Sequence, residues 1–389
     1  MSTMHAVFAR PSLWQRMRPV LLGFDGPLMA GVLVLAAIGL VTMYSAGYDH
    51  GTRFVDHGRN MAVALAVLLV VAQVPPQRLQ QLAVPLYVIG VALLVITALP
   101  GVGITKKGAT RWLNVGMVIQ PSEVLKIAMP LMLAWWFQKR EGLLRWPDFV
   151  VAGLLLAVPV ALVAKQPDLG TALLILFGGV YVIFFAGLSW RIVLPVLALG
   201  VVAVTALVLA GDALCESGVR WPVLREYQQQ RVCTLLDPTR DPLGKGFHIL
   251  QGMIAIGSGG LAGKGFMQGT QTHLEFIPER TTDFIFAALC EEFGLAGVLT
   301  LLVAFTFLIF RGLMIAAEAP SVFTRLLAAA MTLSVFTYAF VNMGMVSGIL
   351  PVVGVPLPFV SYGGTAMVSL GLGLGVLMSV ARSRRLMQT

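Results

Sequence analysis

Apolar residues along this chain gather into long unbroken runs, and the polar positions between them come in short clusters rich in Pro, Gly and charge. A helix crossing the hydrocarbon core needs about 20 mostly apolar residues, and ten runs approach that length. They lie near residues 25–45, 59–74, 81–99, 121–138, 149–164, 170–188, 192–211, 284–310, 326–349 and 364–381. The fifth and sixth meet at "KQPDLGT" (Lys165 to Thr171), where Pro and Gly break the helix. This pattern predicts an all-α polytopic integral membrane protein of about ten transmembrane helices. It forms one domain over residues 1–389, with a large extracytoplasmic loop, residues 211–282, between helices 7 and 8. Composition agrees: 58% of residues are hydrophobic and only 12% are charged, which excludes an ordinary soluble domain.

Charge gives the expected orientation. The amino-terminal stretch "MSTMHAVFARPSLWQRMRPVLLGFDG" is basic, and the apolar run after it is too long for a signal-peptide core, so it reads as a retained first helix. The carboxyl end "ARSRRLMQT" is basic as well. An even number of spans returns both termini to one side, which the positive-inside rule makes the cytoplasm. Against that bias, Arg53, Arg59, Lys106, Lys107, Arg111, Lys126 and Lys165 fall on short outer loops or nearby helix ends. Cations kept there suit an anionic substrate. The net charge of +9 does not argue for nucleic acid, because inner Lys and Arg facing anionic lipid account for much of it.

Several motifs carry two readings each. "IAIGSGGLAGKGF" (Ile254 to Phe266) fails as a phosphate loop, since Ser258 stands where its first Gly belongs and Gly265 where Ser or Thr should follow Lys264. It reads as a flexible or closely packed turn-rich segment. Before it, Tyr227, Val232, Leu235 and Leu236 recur at helical spacing with Arg225, Gln228 and Arg231 between them, which predicts an amphipathic helix on the outer membrane face. "DPTRDPLG" after it reads as turns. Glu123 and Lys126, three apart on the fourth helix, either form a structural ion pair or face a wet cavity. Arg111 beside Trp112 could hold a phosphate and a sugar face, or anchor the interface. Lys165 and Asp168 either pair with each other or line a cavity at the helix break. "VNMGMVSGILPVVGVPLPFVSYGGTAM", with Pro351, Pro356 and Pro358, suggests a re-entrant or closely folded loop that could wall a cavity.

The histidines His5, His50, His57, His248 and His273 are scattered, and the three cysteines form no ligand pattern, so no metal site is built into the sequence. Cys215 and Cys233 both fall in the large loop, where an oxidising compartment permits a disulfide, but spacing does not decide whether they pair.

"AKQPDLGT", "LLDPTRDPLGKGFHILQ", "GTQTHLEFIPERTTDFIFAALCEEFG" and "NMGMVSGILPVVGVPLPFVSYGG" strongly resemble the SEDS family of bacterial cell-wall proteins. The last three look most like its rod-shape branch. The resemblance runs from the first span to the last. It implies a glycosyltransferase of the bacterial cytoplasmic membrane that polymerises lipid II, the undecaprenyl-pyrophosphate-linked disaccharide-peptide. It also implies a class B penicillin-binding protein as transpeptidase partner, within the elongation complex. The catalytic acid of the family maps onto Asp283, and a functional loop pair maps onto Arg111 and Trp112. The Cys215 and Cys233 pair is not a hallmark of the family.

That chemistry needs a base, cations for the leaving pyrophosphate, and a cavity open sideways to lipid. Asp283 suits the base if Thr281 or Thr282 caps the helix it begins; as part of the cap alone it would be structural. Arg111, Lys126, Lys165, Lys264 and Arg280 are candidate cations, and a divalent cation shared with the pyrophosphate is compatible. On a continuous helix Glu291 and Glu292 stand about 12 Å along the axis from Asp283, beyond the roughly 5–9.5 Å of paired glycosidase acids. Glu123, Asp168, Glu291 and Glu292 therefore read as structural or cavity-lining, and Glu275 and Glu279 as loop acids without an assigned role. The region from Asp283 to Phe310 is too long for one perpendicular span, so its first turns would stand in the interface and keep these acids wet. The rival readings are a flippase for lipid-linked cell-wall precursors, which would also want a polar path, and a non-catalytic scaffold.

Overall fold

The computed structural model describes residues 24–49, 51–99, 101–106, 109–114, 118–216, 219, 221, 226–240, 244–277 and 279–387. The basic amino-terminal stretch up to residue 23, His50, Lys107, Arg225 and residues 241–243 of the predicted turns lie outside them. Ten helices occupy the ten predicted spans: α1 (Gly26–Ala46), α2 (Arg53–Val71), α3 (Pro76–Thr97), α4 (Pro121–Gln138), α5 (Trp146–Lys165), α6 (Leu169–Phe185), α7 (Trp190–Leu209), α12 (Ile285–Ala317), α13 (Val322–Val346) and α14 (Gly364–Met387). Eight are long and apolar enough to cross a membrane. The other two are α4, which carries Glu123 and Lys126, and α6, which is only 17 residues long.

Helix starts follow local chemistry. Asp25 caps α1 through Leu28 N (3.0 Å), and Asp168 caps α6 through Thr171 N (3.2 Å). Ser321 and Thr324 form a reciprocal capping box on α13. Two apolar cores result. One joins α1, α2, α12, α13 and α14, and the other joins α3, α4, α5, α6 and α13. Both draw on α13, which with α14 is the most buried of the spans. In contrast α7 buries no residue.

The segment between α3 and α4 is not a plain loop. β1 (Ile104–Lys106), β2 (Ala109–Asn114) and β3 (Val118–Ile119) make a small antiparallel sheet in the order β1-β2-β3. The large loop is mostly helical: α8 (Gly211–Leu214), α9 (Glu226–Leu236), a 3-10 turn at Pro238–Arg240, α10 (Lys245–Gly259) and α11 (Thr270–His273). The predicted amphipathic helix is present as α9. Cys215 and Cys233 form a disulfide that fastens α9 to the end of α7 and α8, with Cα atoms 5.6 Å apart. α10 packs on α12 and α13, so this loop lies on the bundle.

The Gly-rich stretch read as turns begins inside α10, and only residues 260–266 leave the helix. Their function is architectural. α12 is interrupted at Gly294, whose φ of 60° is left-handed. The break frees backbone groups on both sides, and the turn captures them. Lys264 N and Gly265 N donate to Glu291 O and Glu292 O (both 3.0 Å), while Leu295 N and Ala296 N donate to Gly260 O and Leu261 O (2.9 and 3.2 Å). A Cβ on Gly294 would strike Gly263 N. The overlong eighth span is thus two helical pieces meeting at a stitched break.

Candidate functional site

Asp283 sits on a tight turn. The sequence suggested that Thr281 or Thr282 caps a helix begun by Asp283, but α12 begins at Ile285 and neither threonine caps it. Glu279 organises the turn instead. Its carbonyl accepts from Thr282 N (3.0 Å) and Phe284 N (3.2 Å), and its carboxylate accepts from Thr282 Oγ1 (2.9 Å). Glu279 has a φ of 53°, unusual for a residue with a side chain. Thr281, fully buried, takes hydrogen bonds from Arg53 and from Tyr362 N (2.8 Å).

The Pro-rich loop is closely folded, as its breakers suggested, and packs beside Asp283. Val355, Leu357, Phe359 and Val360 are buried although their backbone is irregular. Such backbone needs partners away from water. Ser361 Oγ accepts from Leu357 N (2.8 Å), and Asn342 Nδ2 of α13 donates to both Val355 O (2.8 Å) and Asp283 O (2.9 Å). Gly354 brings bare backbone beside the Asp283 carboxylate: a Cβ there would lie 3.4 Å from Oδ2. Val353 O passes so near Gly170 that a Cβ on that glycine would come within 2.7 Å of it. One loop therefore packs against both Asp168's helix and Asp283.

Arg111 reaches the same place from β2. Nη1 lies 3.4 Å from Asp168 Oδ2 and Nη2 donates to Pro167 O (3.2 Å). Gln120 Nε2 donates to the same Asp168 oxygen (3.0 Å). Asp168 thus caps α6 and receives Arg111, while Lys165 is exposed at the end of α5. The β1–β2 register shifts between Ile104 and Thr105, which pair with Trp112 and Thr110, so Arg111 is the extra residue at an irregularity of β2, and its guanidinium faces Asp168.

The sequence reading missed Arg231. On α9 it was one polar position of an amphipathic helix, yet it lies within charge–charge range of Arg111, Asp168 and Asp283. Burial holds its guanidinium below the ordinary value; neighbouring Tyr227 raises it, Arg111 lowers it further, and Asp168 and Asp283 raise it. Its Nε and Nη1, Arg111 Nε, Tyr227 Oη and Asn342 Oδ1 are buried without hydrogen-bond partners among the described residues. The signal available was a cation next to Val232 of the apolar stripe, in a loop too long for its charges to set orientation.

The other candidates are held by partners of their own. Lys126, buried, donates to Glu123 Oε1 and Tyr338 Oη (both 2.7 Å), and Ser369 Oγ holds the other Glu123 oxygen (2.6 Å). Lys126, Tyr338 and Ser369 border a cavity of about 20 Å³, room for a single water. Arg280, buried, grips both Asp49 oxygens (2.5 Å each) and Ala46 O (3.0 Å). Lys264 pairs with Glu291 (2.7 Å). Glu291 and Glu292 are dry, contrary to the expectation of wet interfacial acids. Glu291 is fully buried and accepts from Lys264 Nζ, Thr270 Oγ1, Gln271 N, Thr272 N and Thr272 Oγ1. Glu292 accepts from Ser45 and lies 3.3 Å from His273 Nε2. Both are held within networks of hydrogen bonds that tie α11, the Gly-rich turn and α1 to α12. Among the described residues no group of three His, Cys, Asp or Glu side chains could hold a metal ion by itself.

The fold and this cluster define a multi-pass membrane protein with charged groups gathered at the end of the bundle that bears the sheet and the long loop. The family model for FtsW, RodA and SpoVE cell cycle proteins matches residues 26–386, and the chain belongs to that family. It is 46% identical to the peptidoglycan glycosyltransferase MrdB of Escherichia coli over 366 residues, covering 93% of this chain and 95% of that protein. Stage V sporulation protein E of Bacillus subtilis is 32% identical over 364 residues, covering 91% and 95%. Among solved structures, one from a peptidoglycan synthase complex that coordinates polymerisation and crosslinking superposes with a TM-score of 0.76 at 31% identity, covering 93% of this chain and 98% of that one. The rod shape determining protein RodA of Thermus thermophilus gives 0.67 at 28% identity, covering 93% and 97%.

Proposed function

We propose that this protein is a peptidoglycan glycosyltransferase that polymerises lipid II at the outer face of the bacterial cytoplasmic membrane during elongation and rod-shape maintenance. Both termini are cytoplasmic in this reading, which places the sheet, α9 and Asp283 outside. The likeness to MrdB over nearly the whole chain carries the class of activity. The gathering of Asp283, Asp168, Arg111 and Arg231 supports the choice of residues.

In the reaction, an acceptor sugar hydroxyl attacks the anomeric carbon of the donor. The new bond forms between that oxygen and that carbon, and the bond from the carbon to the pyrophosphate oxygen breaks. Asp283 takes the hydroxyl proton. Asn342 and the Glu279 turn position it by holding the backbone on either side. Arg111 offers charge to the departing polyprenyl pyrophosphate, and Asp168 fixes its guanidinium. A divalent cation shared with the pyrophosphate is compatible with this reading.

A class B penicillin-binding protein is the proposed transpeptidase partner within the elongation complex, supported by the matched synthase complex. The test is polymerisation of labelled lipid II by purified protein with that partner. Wild type is expected to make glycan and Asp283→Asn to make none. Wild-type turnover by Asp283→Asn would remove the base assignment. Lipid scrambling in vesicles without polymer would favour a flippase instead.

A further inference from the structure

The open hydrogen bonds around Asp283 are unevenly distributed. Asp168 is fully engaged, by Thr171 N, Gln120 and Arg111. Arg231, only partly exposed, retains two buried donor atoms without partners, and Tyr227 Oη on the same helix is a third. Tyr227 lies under Arg231, its ring centroid 6.0 Å from the guanidinium carbon. A buried donor left unmade costs about 1–3 kcal/mol, more when charged. Two guanidiniums near each other add repulsion. Both costs vanish when an anion with several acceptor oxygens enters between them.

We propose that Arg231, carried on α9 of the long loop, is a second guanidinium for the pyrophosphate of the lipid-linked donor, acting with Arg111 beside Asp283. The inference rests on the polymerase reading and adds a residue and a role to it. When the carbon–oxygen bond breaks, the electron pair stays on the pyrophosphate oxygen, which gains a negative charge as the hydroxyl proton passes to Asp283. A cation with donors still unfilled gains most from that new charge, so Arg231 acts on turnover as well as on binding. The disulfide Cys215–Cys233 anchors the helix that bears it, which limits the entropy lost when the loop closes on its ligand.

The experiment uses the full chain in detergent micelles, with farnesyl pyrophosphate and farnesyl monophosphate as probes, together with lipid II polymerisation in the presence of the transpeptidase. Wild type and Asp283→Asn are expected to prefer the pyrophosphate. Arg231→Gln is expected to lose about tenfold in pyrophosphate affinity, to change monophosphate affinity less than about threefold, and to lose roughly 100-fold in kcat. Arg231→Lys, which keeps the charge without the planar donors, is expected to fall between. Thermal unfolding is read on each variant; if Arg231→Gln is unstable, the Arg231→Lys values decide, and wild-type values there overturn the proposal. Equal loss of affinity for both probes overturns it too, as does unchanged pyrophosphate affinity and turnover in Arg231→Gln. Wild type that binds the pyrophosphate but makes no glycan would overturn the polymerase reading and leave this site standing. Glycan made equally by wild type and Arg231→Gln would do the reverse.

Discussion

Asp283 and Glu291 stand near one another in the sequence, one on the turn before α12 and one within its first piece, and their surroundings differ in what is left over. Glu291 is saturated by five donors from α11 and the Gly-rich turn. Around Asp283 the neighbouring cations still have donors to give. A carboxylate whose lone pairs are all taken holds loops together and cannot accept a substrate proton. The Glu123–Lys126 pair resembles Glu291 in this respect, closed by Tyr338 and Ser369. The difference separates acids closed into architecture from the acid proposed as the base, which sequence proximity alone blurs.

That contrast can be broken most directly at Asp283. Asp283→Asn is expected to lower polymerisation by about 10²–10⁴-fold, the usual worth of a general base, with unfolding temperature nearly unchanged. Turnover and thermal unfolding measured on one preparation check both halves. Lys126→Met should do the opposite. It leaves Glu123 without its cation and costs about 3–5 kcal/mol of stability, and adding Glu123→Gln should restore part of it. A lone Lys126→Met protein as stable as wild type would contradict the structural reading of that pair.

Glu291→Ala is expected to cost somewhat less, about 2–4 kcal/mol, because Lys264 is partly exposed and can return to water while the amides of Gln271 and Thr272 cannot. Turnover per folded molecule should stay within about threefold of wild type. A selective loss of turnover would move Glu291 into the chemistry. The smallest effect is expected from Cys215→Ser with Cys233→Ser, which loosens α9 and should raise the KM for lipid II by about two- to fivefold with kcat kept.

The spans were legible because hydrocarbon imposes a length and a composition that no other environment requires. Asp283 was singled out through a family motif, but its local geometry could not be read. The cap expected from Thr281 or Thr282 lost to a turn built by Glu279, whose positive φ no pattern of residue types announces. The pairing of Glu291 with Lys264 and of Arg280 with Asp49 joins segments distant in sequence, so spacing rules for single helices could not reveal it. The same holds for Arg231, which helical periodicity assigned to a surface. The sheet over 104–119 was missed because its strands, of two to six residues, are too short to show an alternating pattern. The disulfide was left open for want of a distance.

The stitched break at Gly294 has a consequence for how the chain is made. The turn at residues 260–266 leaves the ribosome before α12 does, so one half of the seam is already made when its counterpart arrives. Until the two meet, α12 carries two bare carbonyls and two bare amides in an otherwise apolar helix. A nascent eighth span should therefore settle shallow and reach its final depth only when the seam closes, which makes biogenesis of this one helix wait on a loop synthesised earlier.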